Sequence, residues 1–125
     1  MSLQAKYQSV LDLGQELGAK DGFVQEENGV LKFGGLVATA YEKDLLWDKI
    51  KSIGGDSPAD VIADIRVENN EYYHKHTVGK GESLSLIAKK YYGDLMEYKK
   101  IFEANTNILS NPDRIDVGQE LVIPF

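Results

Sequence analysis

The first apolar stripe of the chain runs through residues 3–18, where hydrophobic positions recur at steps of three and four. This spacing predicts an amphipathic helix. The positions on the stripe are Leu3, Tyr7, Val10, Leu11, Gly14 and Leu17. Gly18 follows the last apolar position and is a typical helix stop, so we expect one helix that ends there.

Two strands are predicted after this helix, over residues 23–27 and 30–37. Asn28 and Gly29 separate them, and this pair accepts the positive φ angles of a type I′ hairpin turn. Gly34 and Gly35 lie inside the second strand, which predicts either a bulge or the close approach of another part of the chain.

Helical spacing returns over residues 41–53, where Leu46, Ile50 and Ile53 share one stripe. The turn Gly-Gly-Asp-Ser-Pro at 54–58 ends that helix. Residues 61–67 then alternate between apolar and polar, as a half-buried strand does. The order helix, strand, strand, helix, strand therefore predicts an α+β domain over residues 1–70.

The last fifty residues follow a different order. A short β-branched run leads into a Gly-Lys-Gly turn at 79–81, and apolar positions then predict two helices. These positions are Leu84, Ile87, Ala88 and Tyr91 in the first helix, and Tyr98, Ile101, Phe102 and Asn105 in the second. A loop rich in Pro, Asp and Asn returns to an apolar strand, so residues 74–125 are expected to form a βααβ domain with its two strands paired.

This C-terminal order resembles the LysM domain, a module best known for binding glycans that contain N-acetylglucosamine. The matching positions are Val78, Gly81, Leu84, Ile87-Ala88, Tyr92-Gly93, Ala104-Asn105 and Gly118 through Pro124. The sequence departs from the family at the helix start, where Glu82-Ser83 replaces Asp-Thr. Ser83 can still cap the helix, and the charge of Glu82 suits a helix N-terminus.

The resemblance implies a glycan groove between two loops. One wall would comprise Gly79, Lys80, Gly81, Glu82 and Ser83, and the other would be the segment 107–115, with Asn107, Ile108, Leu109, Asp113, Arg114 and Ile115 as the candidate contacts. An N-acetyl group needs a small apolar recess and a backbone donor and acceptor, which loops with little side-chain bulk supply. We expect a bulky residue at Gly81 to fill that recess. The alternative is that both segments only connect secondary structure.

Other candidate residues of this half have structural interpretations. His74 and His76 lie two apart on a strand and face the same side, but without a clear third ligand they fall short of a zinc site. We expect a polar strand face or a contact between domains there. The aromatic residues Tyr91, Tyr98 and Phe102 are expected in the core, and Asn105 is expected to bind loop backbone.

The N-terminal order of elements resembles the BON domain, a small α/β sandwich of bacterial envelope and stress proteins. BON followed by LysM resembles a group of small bacterial proteins that includes a cytoplasmic potassium-binding member. Enterobacterial members begin with an amphipathic segment that this sequence lacks before its first helix. Sequence reasoning predicts no cofactor, but this resemblance implies a potassium ion as the alternative. Backbone carbonyls at Gly54, Gly55 and Asp56 are its candidate ligands, because a Gly pair frees the backbone to aim its oxygens inward.

The composition of the chain argues against several classes of partner and site. Residues 1–72 hold seven Lys/Arg against thirteen Asp/Glu, and residues 73–125 hold seven of each. Nucleic-acid binding needs a basic footprint, which neither part has. No apolar run approaches the roughly 20 residues of a membrane span, and the absence of cysteine excludes disulfides and thiolate metal sites.

Two functions remain, and neither is catalytic, because no nucleophile, general base or metal constellation is recognisable. The first is recognition of N-acetylglucosamine oligomers, of the peptidoglycan or chitin type. The second is a cytoplasmic potassium-binding or stress-response role in which the glycan groove is unused. The N-terminus lacks a secretion signal, so we expect a cytoplasmic protein, or an envelope protein if a leader was removed. The sequence leaves the oligomeric state open.

Overall fold

The chain folds as two units, Met1–Asn70 and Glu71–Phe125, in a computed structural model that describes residues 2–125. Both units mix helices with strands, as expected for the α+β class. The N-terminal unit contains α1 (Leu3–Lys6), α2 (Gln8–Glu16), β1 (Lys20–Glu27), β2 (Val30–Val37), α3 (Ala40–Gly54) and β3 (Val61–Val67). The C-terminal unit contains β4 (His74–Thr77), α4 (Leu84–Tyr92), a 3-10 turn (Leu95–Glu97), α5 (Tyr98–Ala104) and β5 (Glu120–Ile123).

The N-terminal sheet has the strand order β1-β2-β3, with β1 antiparallel and β3 parallel to β2. Asn28 and Gly29 have φ angles of 54° and 76°, which confirms the predicted hairpin turn with two positive angles. A β-carbon at Gly34 would overlap the Asp64 carbonyl oxygen of β3. The predicted close approach is therefore that of the neighbouring strand's backbone.

One face of this sheet packs against the helices. The buried residues are Tyr7, Val10, Leu31, Phe33, Val37, Leu46, Ile50 and Ile65. Alternate residues of β2 point inward, and Ile65 is the buried residue of β3, so the period of two that defines a half-buried strand is confirmed. Leu46 and Ile50 of α3 cover the same face, as the helical spacing predicted.

The prediction of one continuous helix over residues 3–18 is wrong at Tyr7. This residue separates α1 from α2 with φ −104° and ψ 17°, and its side chain is fully buried. Its hydroxyl donates to Asp60 Oδ1 at 2.8 Å, and Lys6 Nζ pairs with Asp60 Oδ2 at 2.8 Å. Tertiary contacts thus override the local helical preference. Gly18, with φ 75°, follows the helix end as predicted.

Helix α3 begins and ends at residues with clear local roles. Thr39 caps its N-terminus, because Thr39 Oγ1 accepts from the Glu42 N–H at 3.4 Å. At the other end Gly55 has φ 87°, a conformation that favours glycine. Gly54 is required for a different reason, since a β-carbon there would overlap the Tyr7 hydroxyl oxygen and lie 2.8 Å from Pro58 Cβ.

The C-terminal unit is a βααβ arrangement whose strands pair antiparallel, with His76 opposite Leu121. This pairing confirms the prediction. The core consists of Val78, Leu84, Ile87, Ala88, Ile101, Leu109, Leu121 and Ile123. Phe102 was predicted to be buried but only packs partly buried against this core, whereas its neighbour Ile101 has no exposed surface.

Among residues 2–125, none of the helices combines the length and the apolar character that crossing a bilayer requires.

Two helical glycines provide a matched test of the N-terminal packing. Gly54→Ala should destabilise the unit by about 1–3 kcal/mol because the new methyl group overlaps Tyr7. Gly14→Ala in α2 should instead stabilise it by up to about 1 kcal/mol, because a β-carbon there meets nothing within 4 Å and alanine favours helix. Urea unfolding followed by fluorescence of the single tryptophan, Trp47, measures both. Equal effects of the two substitutions would contradict this packing.

Candidate functional site

A groove of about 350 Å³ opens between the start of α4 and the loop that precedes β5. Its lining residues come from these two segments and from the first residue of α5. They are Glu82, Ser83, Leu84, Ser85, Tyr98, Pro112, Asp113 and Ile115. The groove thus combines apolar surface with three hydroxyl groups and two carboxylates, and among residues 2–125 no cationic side chain lines it.

The first wall is shaped by the N-terminus of α4. Ser83 caps this helix, with Oγ accepting from the Leu86 N–H at 3.2 Å. Gly81 precedes it with φ 80°, and a β-carbon there would meet nothing within 4 Å. The expected cost of a bulky residue at Gly81 therefore comes from backbone conformation, because the space around its β-carbon is open.

The second wall is a turn held by its own polar groups. Asn111 Oδ1 accepts from the Asp113 N–H at 2.8 Å, and the Asn111 carbonyl accepts from the Arg114 N–H at 3.1 Å. Gln119 Oε1 then accepts from the Asp116 N–H at 2.8 Å. These bonds fix the backbone conformation of the loop, in which Pro112, Asp113 and Ile115 line the groove.

The structure brings some of the predicted site residues together and leaves others outside the groove. Glu82, Ser83, Asp113 and Ile115 line it. Leu109 does not, because it is buried in the core. The remaining predicted residues also lie outside the lining: Gly79, Lys80, Gly81, Asn107, Ile108 and Arg114.

Sequence reasoning missed Ser85 as a groove residue and placed Leu84 and Tyr98 in the core. Pro112, which lies within the predicted wall of residues 107–115, does line the groove. Tyr98 packs partly buried against the core and also lines the groove. Its position at the start of α5, after the 3-10 turn, exposes one part of the ring to the groove. The spacing of apolar positions reports the buried side of such a ring and carries no information about its exposed side.

His76 is not on a polar strand face, as had been expected, but is 7% exposed. Its Nδ1 lies 2.6 Å from the Tyr91 hydroxyl, and its Nε2 lies 3.0 and 3.1 Å from the two carboxylate oxygens of Glu82. Glu82 Oε1 also accepts from the Gly79 N–H. The charge of Glu82 was predicted to suit the N-terminus of α4. Its carboxylate instead points away from that helix and contacts His76 and the Gly79 N–H.

Burial and hydrogen bonding act in opposite directions on Glu82. Partial burial raises the pKa of its carboxyl group, but the hydrogen bonds from His76 and from the Gly79 N–H outweigh this and leave the pKa below its usual value. Glu82 is thus ionised at neutral pH.

Burial also lowers the pKa of His74, and the charges of the neighbouring His76 and Lys90 add to that shift.

Asn105 connects the end of α5 to β5. Its side-chain amide donates to the Ile101 carbonyl at 2.7 Å and to the Val122 carbonyl at 2.9 Å, and its Oδ1 accepts from the Val122 N–H at 2.9 Å. The expected structural role is therefore confirmed, but the partners are helix and strand backbone and not a loop. The Asn105 carbonyl in turn accepts from Ile108 and Leu109 at the start of the second loop.

With this geometry in view, the family comparison is decisive for the C-terminal unit. The family model described as "LysM domain" matches residues 76–124. Residues 76–124 are a LysM domain. The match covers the second half of β4, both helices and β5, and it includes every residue of the groove lining.

Curated relatives match over the same LysM region, a stretch of 49 residues that is 39% of this chain. An uncharacterized protein of Deinococcus radiodurans is 61% identical and the match covers 19% of it. The potassium binding protein Kbp of Escherichia coli is 51% identical and 33% covered. An esterase, MT1326, of Mycobacterium tuberculosis is 41% identical and 10% covered. The matched part is thus a third or less of each relative's length.

The N-terminal unit holds its own cavity, of about 450 Å³, between α2 and the sheet. Within the described part of the chain, no charged side chain lines it, and neither do the residues predicted for potassium. Those residues, Gly54, Gly55 and Asp56, lie at the end of α3, where the two glycines are accounted for by packing against Tyr7 and by a positive φ angle. A potassium site there stays a prediction.

Asn105→Ala should destabilise the LysM unit by about 2–4 kcal/mol. The change leaves the N–H and C=O groups of Val122 without their partner, and a buried unsatisfied group costs about 1–3 kcal/mol. Asn107→Ala, two residues further on and exposed, is the matched control. Urea unfolding followed through amide signals of residues 76–124 measures both, and equal midpoints would contradict the role given to Asn105.

Proposed function

We propose that the LysM unit binds N-acetylglucosamine oligomers in the groove between residues 82–85 and 112–115. The observation that supports this most is the groove itself, which lies within the region that matches the LysM family. Its volume lies within the usual range of ligand sites, about 300–1,000 Å³. Glycan binding is the function for which this family is best known.

The chemistry of the lining fits an uncharged sugar. The Tyr98 ring and Ile115 offer apolar surface to a pyranose face or an N-acetyl methyl group. Ser83, Ser85 and Asp113 offer hydroxyl and carboxylate groups that bond sugar hydroxyls. Because the charged groups in the lining are both anionic, a neutral chitin-type oligomer fits better than a peptidoglycan fragment that carries free carboxylates.

The binding is non-catalytic. A glycosidase needs a carboxylic acid that is protonated at working pH, usually through a raised pKa. The pKa of Glu82 is lowered instead, since the hydrogen bonds from His76 and Gly79 outweigh its partial burial. The Mycobacterium tuberculosis relative is named an esterase, but the similarity is confined to a tenth of that protein.

A second function, potassium binding, is favoured by the relative from Escherichia coli that is named a potassium binding protein. The similarity covers the LysM region alone, so the part of that relative outside the match lends no support to a site in this chain. Under this second proposal potassium would be bound by backbone oxygens near Gly54, Gly55 and Asp56, in a cytoplasmic protein whose glycan groove is unused.

Titration with chitotetraose up to millimolar concentration should shift amide signals of residues 82–85 and 112–115. Asp113→Ala should weaken binding by about 0.5–1.5 kcal/mol, the net worth of one hydrogen bond. Arg114→Ala, which removes the next exposed side chain outside the lining, should change it less. The proposal is rejected if neither loop shifts in the wild-type protein.

For potassium, adding potassium chloride should shift amide signals of Gly54, Gly55 and Asp56, whereas equal choline chloride should not. The choline arm separates ion binding from ionic strength, because both salts screen charge equally. If residues 50–62 respond identically to the two salts, this turn is not a potassium site.

A further inference from the structure

A buried polar side chain of the LysM unit contacts the groove lining without belonging to it. The side chain of His76 in β4 is 8% exposed and is bonded on both ring nitrogens. A carboxylate only accepts hydrogen bonds, so Nε2 of His76 donates to Glu82. In the neutral ring Nδ1 then accepts from the Tyr91 hydroxyl. Since His76 is absent from the groove lining, no direct contact with a groove ligand explains these bonds.

Glu82 is free to make this contact because a neighbour caps the helix. Ser83 supplies the side-chain cap of α4, so the Glu82 carboxylate turns back to the Gly79 N–H. The Glu82 N–H also donates to the Gly79 carbonyl at 3.3 Å. These two bonds close the four-residue turn from Gly79 to Glu82, and His76 holds the carboxylate that closes it.

Gly79 provides independent support for the closed turn. Its backbone is not among those with a positive φ angle, so conformation does not demand glycine there. A β-carbon at Gly79 would instead lie 2.9 Å from Glu82 Oε1. The missing side chain leaves the space that the carboxylate occupies, which means that the sequence and the geometry agree on this contact.

We propose that His76 and Glu82 are positioning residues that hold the 79–83 turn in the shape of the groove wall. The inference rests on glycan binding as the proposed function. Glu82 and Ser83 form part of the lining, so a mobile turn would have to be ordered when a sugar binds. Ordering on binding reduces affinity, whereas a turn already held in the free protein does not incur this loss.

The charged state of Glu82 agrees with this role. Burial raises its pKa, but the bonds from His76 and Gly79, together with the charge of Lys90, lower it more. Among the described residues, the titratable groups that lower the pKa of this carboxyl group are therefore His76 from β4, through a hydrogen bond, and Lys90 from α4, through its charge. The contribution of Glu82 to stability is fully present above the ordinary glutamate pKa of about 4.3 and is lost as pH falls from there through the lower pKa of the folded protein.

Three substitutions test the contact. His76→Phe keeps a buried ring but removes the donor to Glu82, and Glu82→Ala removes the carboxylate. Both should accelerate amide exchange at Gly79 in the free protein and weaken chitotetraose binding about three- to tenfold. Glu82→Gln, which keeps an acceptor for Gly79 and can donate to the other tautomer of His76, should recover part of both effects.

The controls separate positioning from general damage. Tyr91→Phe removes the other bond of His76, and Glu103→Gln makes the same charge change at an exposed position of α5. Both should bind close to wild type. The carboxyl signal of Glu82, followed by NMR against pH, should titrate at higher pH in His76→Phe than in wild type, which a purely structural role of His76 elsewhere would not produce.

The outcomes are distinct. If wild type binds chitotetraose, and the folded His76→Phe and Glu82→Ala variants bind it as tightly as wild type does, the positioning role is overturned. If wild type does not bind chitotetraose, the proposed function fails, and the role of the turn in binding fails with it. Unchanged Gly79 exchange in Glu82→Ala would overturn the contact itself, whatever the glycan result.

Discussion

The buried amide of Asn105 is the interaction on which the LysM unit most depends. It donates to the last turn of α5 and makes two bonds to the backbone of Val122 in β5, so it acts like an additional rung beside the strand. The backbone carbonyl of Asn105 accepts from the N–H groups of Ile108 and Leu109, where the second groove loop begins. Since the amide is 2% exposed, water cannot replace these bonds, and helix end, strand and loop are held in one arrangement.

A second constraint is close backbone approach at glycine. Gly34 admits the Asp64 carbonyl of the neighbouring strand, Gly54 admits the Tyr7 hydroxyl, and Gly79 admits the Glu82 carboxylate. In each case a β-carbon would occupy the space of a polar oxygen. Glycine in this chain thus does more than permit turns. The effect of replacing a glycine on stability therefore depends on whether an oxygen atom occupies the space of the new side chain.

Both walls of the groove are held by hydrogen bonds within the LysM unit. Its first wall is fixed by a helix cap and by the contact of Glu82 with His76 and Gly79, and its second wall by the turn at Asn111. Under the proposed function, walls that are already ordered favour the binding of a small sugar, because little conformational freedom is lost on binding. An isolated module of this kind gains avidity only through repetition or oligomerisation.

The element order and the half-buried faces of both units were readable from the sequence, because periods of two and of three to four residues record which side chains are buried. The type I′ turn at Asn28-Gly29 and the stop at Gly18 were also readable, since both depend on local φ preference. Family signature positions made the LysM unit recognisable in the same way.

Tertiary structure alone decided the break at Tyr7, the burial of Leu109 and the double role of Tyr98. It also decided that His76 meets Glu82 across six residues and a turn. These outcomes depend on partners distant along the chain, such as Asp60 for Tyr7, or on which side of one ring stays exposed. Local propensity and periodicity report neither the distant partner of a residue nor the exposed side of a ring. Both are set only when the folded backbone brings distant residues together.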